Sequence, residues 1–299
     1  LGNWEEADTY NNYLFHVQKK AYKAYDFDDP LLIPVLDRLA TWNIQAFKIG
    51  YGTLRGSRLL HSQKMFDAAA RMVSMYFGKS DERYINYQRS IANSAYLVVT
   101  NSDLVLESEG VENRNMDQIY SSTRNVCQLV KSQGFLAGER ALKEIVTFYQ
   151  ERGDDIYGLA EAITHLADWY LRCDKRRDAL ENYKVAWDML QGLENSKELT
   201  ELLFGNVVPL PSFSSSIEMP EAFYRSEDGT EALSFDHADL TFDVTVNGRA
   251  RNVKSISEET EDNQAQLSKL RRSVRSMWFR PLLVDGEPAR SFENHFRYR

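Results

Sequence analysis

The sequence predicts a multi-domain chain: an all-α helical-repeat domain over residues 1–204, a linker at 205–234, and a small α+β domain over 235–299. Three observations predict it. Apolar residues recur at helical spacing from the start to about residue 204, a stretch whose only prolines are Pro30 and Pro34. Gly205, Pro209, Pro211, Ser212, Ser214, Ser215, Ser216 and Pro220 then cluster, the composition of a connecting segment. Near His237 the side-chain rhythm changes from a period of about 3.6 to a period of about 2, the change from helix to half-buried strand.

The helical elements follow in order. Asp28 and Asp29 precede Pro30, an N-cap followed by a first-turn proline, and Leu31, Leu32, Val35, Leu36 and Leu39 continue at helical spacing. Gly50, Gly52 and Gly56 interrupt the pattern. A helix over about 58–77 comes next, its stripe made of Phe66, Ala69, Ala70, Val73 and Phe77. Gly78 stands at its C-cap and Ser80 at the start of the following helix. Periodic runs near 82–100, 114–132, 136–151, 156–172 and 176–191 complete the series.

The segment 160–193 resembles a tetratricopeptide repeat. Leu166, Ala167, Tyr170, Ala179, Tyr183 and Ala186 fall at that repeat's small and large positions, and Cys173-Asp174-Lys175-Arg176 supplies the turn. Two helices approach closely where side chains are small, so Ala167 and Ala179 set the contact while Tyr170 and Tyr183 fill the space beside them. Gln191 stands where the usual proline would be. Ala141, Ile145 and Phe148 echo the pattern upstream. The resemblance implies that the first helix of the pair lines a concave groove, with Glu161, Thr164, Asp168 and Leu171 on it. An acidic groove suits a basic or amine-bearing peptide end; the same residues on a solvated face are the alternative.

In the last part, Leu240, Phe242, Val244 and Val246 alternate with Thr241, Asp243 and Thr245, and Asn247-Gly248 follows. That pattern predicts a strand, a type I′ hairpin turn, and a second strand over about 250–256. Leu267, Leu270, Val274 and Met277 form one helical stripe that lies across a sheet. Trp278-Phe279-Arg280-Pro281 starts a third strand, Asp285-Gly286 marks a turn, and Phe292, Asn294, Phe296 and Tyr298 alternate to the end. The predicted order is β-β-α-β-β. Trp278 and Phe279 are expected on opposite faces, one in the core and one in an exposed aromatic patch.

This order, with Val246-Asn247-Gly248, the helix running into Trp278-Phe279-Arg280-Pro281, the Asp285-Gly286-Glu287-Pro288 turn and the aromatic last strand, resembles the C-terminal domain of TonB-type energy transducers. A Tyr-Pro frequent near that domain's start is replaced by Met219-Pro220. The membrane helix and proline-rich spacer of a working transducer are not in this sequence. The resemblance implies a periplasmic setting in the bacterial cell envelope and partner binding by strand pairing. Phe292, Phe296 and Tyr298 of the last strand are the candidate contact residues there.

Composition narrows the function classes. Hydrophobic residues make up 43% and charged residues 27%, ordinary for a chain with a packed core. The net charge is −8, which argues against a nucleic-acid partner. Residues 235–299 hold 11 Lys+Arg against 10 Asp+Glu, net +1, leaving 25 against 34, net −9, in the rest. The two parts therefore differ in electrostatic character. No run of apolar residues is long enough to span a bilayer. The chain opens on Leu1 rather than Met, so a processed mature form with its signal peptide removed, or a piece of a longer protein, is expected. Cys127 and Cys173 form either a disulfide or two buried thiols.

Enzyme signatures are absent from the sequence: it has no Walker loop, dinucleotide fingerprint, zinc-protease helix or nucleophile elbow, and its five histidines are scattered. The acidic run Glu258, Glu259, Glu261, Asp262 reads as a solvated loop and helix start. Arg271 and Arg275 share one side of the C-terminal helix. They face an anionic partner, the acidic helical domain, or solvent. The expected function is non-enzymatic: a protein–protein interaction scaffold of the envelope, with no cofactor and no metal, binding an envelope protein or peptide. The alternatives are a component of an energy-transduction or transport system, and a homodimer built through the terminal strand.

Overall fold

The computed structural model describes residues 3–23, 29–51, 55–101, 104–105, 134–210, 238–257, 259–260 and 263–298. The chain divides into two compact units, Leu1–Gly153 and Asp154–Arg299. That division lies upstream of the linker expected at 205–234. The helical hairpin predicted at 156–191 falls in one unit with the C-terminal sheet. The predicted helix at 114–132, Cys127 and most of the linker lie outside the described residues.

The first unit contains helices α1 (Trp4–Ala21), α2 (Ile33–Lys48), α3 (Arg55–Tyr76), α4 (Glu82–Thr100) and α5 (Leu136–Arg152). Sequence signals explain their ends. Asp29 caps a short 3-10 turn, Pro30–Leu32, by accepting the Leu31 amide at 2.9 Å, and α2 begins directly after it. Gly78 follows α3 with φ +89°, the left-handed conformation that a β-carbon disfavours. The cap of α4 is Asp81, which accepts from the Arg83 amide, rather than Ser80. Phe66, Ala69, Ala70 and Val73 are buried as their spacing predicts, but Phe77, one residue past the end of α3, is 47% exposed. Gly56 is required by a close crossing: a β-carbon there would lie 2.2 Å from the carbonyl oxygen of Leu104.

The second unit contains α6 (Ile156–Arg172), α7 (Arg176–Gln191) and α8 (Ser196–Phe204), followed by a small sheet region. Ala160, Ala167, Ala179 and Ala186 are fully buried, which lets α6 and α7 approach, and Tyr170 and Tyr183 are buried with them. The strands are β1 (Val208–Pro209), β2 (Ala238–Val244), β3 (Ala250–Ser255), β4 (Phe279–Arg280), β5 (Leu282–Val284), β6 (Glu287–Ala289) and β7 (Ser291–Tyr298). Helix α9 (Gln264–Ser276) lies between β3 and β4 in sequence. The main sheet is antiparallel, in the order β3-β2-β7. Leu267, Leu270 and Val274 of α9 pack on Leu240, Phe242, Val244 and Val253, with Phe279 in the same core.

The sheet differs from the predicted β-β-α-β-β order in three ways. The segment at Trp278 meets the main sheet through one antiparallel bridge, to Arg249 beside β3, with the Phe279 amide donating to Gly248 O at 2.9 Å; β4 itself pairs with β1, which comes from the region expected to be linker. Trp278 and Phe279 are both buried, so neither contributes the exposed aromatic face expected of one of them. Phe279 sits against Phe242 and Phe296, and the Arg249 guanidinium lies 3.5 Å from the centroid of the Trp278 ring. The Asn247-Gly248 turn is not type I′. Only Gly248 has positive φ, and the Gly248 amide donates to Thr245 O at 2.8 Å, a three-residue loop with a left-handed glycine. The type I′ geometry occurs instead at Asp285-Gly286, with φ of 51° and 79° between paired Val284 and Glu287.

Asp243 holds the irregularities of the sheet. Register shifts occur next to it in both flanking strands. Each contains a residue of positive φ, Asn252 in β3 and Glu293 in β7. The Asp243 carboxylate accepts from Asn252 Nδ2 at 2.6 Å and from the Glu293 amide at 3.1 Å. Those two hydrogen bonds hold its pKa below the ordinary carboxylate value.

Candidate functional site

Four candidate residues lie on α6: Glu161, Thr164, Asp168 and Leu171. Thr164, Asp168 and Leu171 are buried, and Glu161 is half-buried. The groove expected on this helix is filled by the chain itself. The Thr164 hydroxyl donates to the carbonyl of Ala160 at 2.8 Å, the back-bond typical of a helical threonine. Leu171 packs against the hairpin turn, its Cδ2 lying 3.0 Å from where a β-carbon of Gly248 would stand. Asp168 receives Arg280. The guanidinium donates from Nε to Oδ1 at 3.0 Å and from Nη2 to Oδ2 at 2.6 Å, while Nη1 donates to the carbonyl of Leu203 at 2.8 Å. The Tyr183 hydroxyl donates to Asp168 Oδ1 at 2.6 Å.

Arg280 is 3% exposed and Asp168 1%. Burial opposes the Arg280 charge, but the Asp168 carboxylate outweighs it and raises the pKa further. Burial, reinforced by the Asp168 charge, pushes the Tyr183 phenol well above its ordinary value. Buried and held by two parallel hydrogen bonds, this pair works as an internal cross-link rather than a contact for an outside ligand. Sequence reading placed Asp168 on a helix face and Arg280 in a strand. It missed that they meet, because 112 residues separate them and neither local pattern refers to the other.

Arg271 and Arg275 come together in an open groove of about 470 Å³ between α9 and β3. Ser268, Arg271 and Arg275 are at i, i+3 and i+7, one side of α9, flanking the buried stripe of Leu267, Leu270 and Val274. The facing wall is Lys254 and Ser255 of β3, with Glu259 at the rim. Ser255 is registered opposite Leu240 and so lies on the α9 side of the sheet. Lys254, opposite Thr241, belongs to the far side and reaches the groove at its edge. Arg271 Nη1 donates to Glu259 Oε1. Arg275 is exposed and makes no ion pair among the described residues. Its spacing from Arg271 was legible in the sequence; the strand wall opposite was not.

The third group, Phe292, Phe296 and Tyr298, does not share one face. Phe296 is registered opposite Leu240 and Tyr298 opposite Ala238, on the core side, and Phe296 packs into the core. The irregularity at Glu293 shifts the phase, and Phe292 is 63% exposed.

Among the described residues no group of three or more histidine, cysteine or carboxylate side chains is placed to hold a metal ion. No described helix is long and apolar enough to cross a membrane. Compared with protein-family models and with curated proteins, the chain has no match.

Proposed function

We propose that this chain is a non-enzymatic interaction protein of the bacterial envelope, periplasmic, that binds partner proteins or peptides. In this reading the helices are tetratricopeptide-like repeats, and the C-terminal part is a TonB-like domain that receives a partner strand at a sheet edge. The observation that carries the reading is the order β3-β2-β7. Both outer strands of the main sheet present one side that pairs with no described strand, save that the hairpin end of β3 is bridged by Trp278 at Arg249. On β3 the direction of the free groups follows from one bond. The Ile256 amide donates to Asp239 O at 2.8 Å, so by antiparallel alternation Lys254 turns its peptide groups toward β2. Ser255 then turns its N–H outward, toward an incoming strand. The envelope setting rests on the sequence resemblance alone.

The test is capture from a bacterial envelope extract with the intact chain and with Ser255→Pro. That substitution removes an outward donor without touching the ladder to β2. A partner recovered by the intact chain and lost from the proline variant supports the reading. Equal recovery by both, with matched circular dichroism, overturns strand pairing at β3. Light scattering of the same two samples reports whether the partner is a second copy.

A further inference from the structure

We infer that the groove between α9 and β3 selects a partner strand carrying a carboxylate, received by Arg275 together with Arg271, and that Glu259 is its built-in competitor. The inference rests on the proposed docking of a strand at β3 and names the chemistry that such a strand must carry.

Three observations lead to it. The groove runs along Val253–Ser255, the end of β3 away from its bridge to Trp278, where the outer side pairs with no described strand, so a strand added there would lie beside α9. Its helical wall presents two guanidiniums one turn apart, with the Ser268 and Ser255 hydroxyls nearby and, among the described residues, one carboxylate, Glu259. Guanidinium forks favour planar carboxylates through paired charge-assisted bonds. That Glu259 carboxylate is already seated on Arg271. It shows what the groove accepts, and it comes from the loop that connects β3 to α9. Arg271 is therefore partly engaged by the chain itself, while Arg275 is exposed at the open end. A partner carboxylate takes Arg275 and competes with Glu259 for Arg271.

Exposed charge pairs contribute little to stability, so the Glu259–Arg271 contact is readily exchanged. An arriving carboxylate that replaces it loses little and gains a second guanidinium.

The experiment is fluorescence polarisation on the whole chain at low salt. Two fluorescein-labelled nine-residue peptides of alternating threonine and valine are used, one with a central glutamate and its twin with glutamine. The glutamate peptide is expected to bind about fivefold tighter, the upper end of what an exposed charge pair contributes. Arg275→Gln should bring the two peptides to within about twofold while leaving the glutamine twin unchanged. Glu259→Gln should tighten the glutamate peptide roughly threefold and leave the twin alone. Equal binding of both peptides by the unaltered chain overturns the carboxylate preference and leaves strand docking standing. Binding of neither peptide overturns both. A preference that survives Arg275→Gln places the selectivity elsewhere and overturns the site. Weaker or unchanged binding in Glu259→Gln overturns the competitor role.

Discussion

Replacing Asp168 with alanine leaves the Arg280 guanidinium buried without the carboxylate that accepts from its Nε and Nη2. The Leu203 carbonyl still accepts from Nη1, so part of the charge stays hydrogen-bonded. Breaking a buried ion pair on one side costs about 3–5 kcal/mol, because the surviving charge remains desolvated. With a urea m-value of about 2 kcal/mol/M, a loss of about 4 kcal/mol moves the unfolding midpoint down by roughly 2 M. Tryptophan fluorescence reads this in the right place, since Trp169, Trp187 and Trp278 belong to Asp154–Arg299. Asp168→Leu combined with Arg280→Met is the control. Removing both charges and keeping the volume should restore part of the loss, because the pair's attraction is largely offset by its desolvation while the Tyr183 hydroxyl and the Leu203 carbonyl lose these partners. A midpoint shift below about 0.5 M in Asp168→Ala, or a double variant no better than the single one, would refute the reasoning.

Three further outcomes follow from the same contacts. Tyr183→Phe should flatten the alkaline limb of the stability profile. The phenol's folded pKa is raised above 10.0, so its contribution is complete below that pH and is lost as pH rises through the folded value. Thermal melts of both proteins between pH 9 and pH 11 compare them, and parallel curves would contradict the assignment. Gly248→Ala should destabilise by about 2–4 kcal/mol, from left-handed backbone strain plus overpacking. The added carbon would stand 2.2 Å from the Phe279 carbonyl oxygen at a residue whose φ is +70°; a urea titration checks this. Asp8→Asn should blunt acid unfolding of the first unit. The Arg58 hydrogen bond holds the Asp8 carboxyl below its ordinary value, so its contribution is present above pH 3.8 and is lost as pH falls below it. Far-UV circular dichroism against pH follows the helices, and identical acid limbs would count against it.

Local patterns reached the packed helices because these bury stripes whose spacing is written in consecutive residues, whereas α1 buries none of its residues. Ala167, Ala179 and Tyr183 are buried as their small-and-large alternation requires, and Leu267, Leu270 and Val274 cover the sheet as one stripe predicts. The β2–β3 hairpin was likewise legible from alternation and its turn residues. The turn type was not, since the αL residue that the loop needs is Gly248 alone and Asn247 stays at negative φ. The Phe292–Tyr298 strand was legible in its position and not in its faces, because an irregularity at Glu293 inverts the alternation partway along.

What the sequence determined by itself was therefore the helical character of the described elements up to Phe204, the β2–β3 hairpin and α9 of the last part, and the placing of Arg271 and Arg275 on one helix side. What only the tertiary structure decided was the use of the charges. Asp168, read as an open groove residue, is closed over by Arg280, and the arginines of α9 acquire a wall from β3. The physical reason is range. Hydrophobic periodicity acts within a single helix or strand, whereas a buried ion pair or a groove requires two distant segments to converge, and that convergence is set by the packing of the whole core.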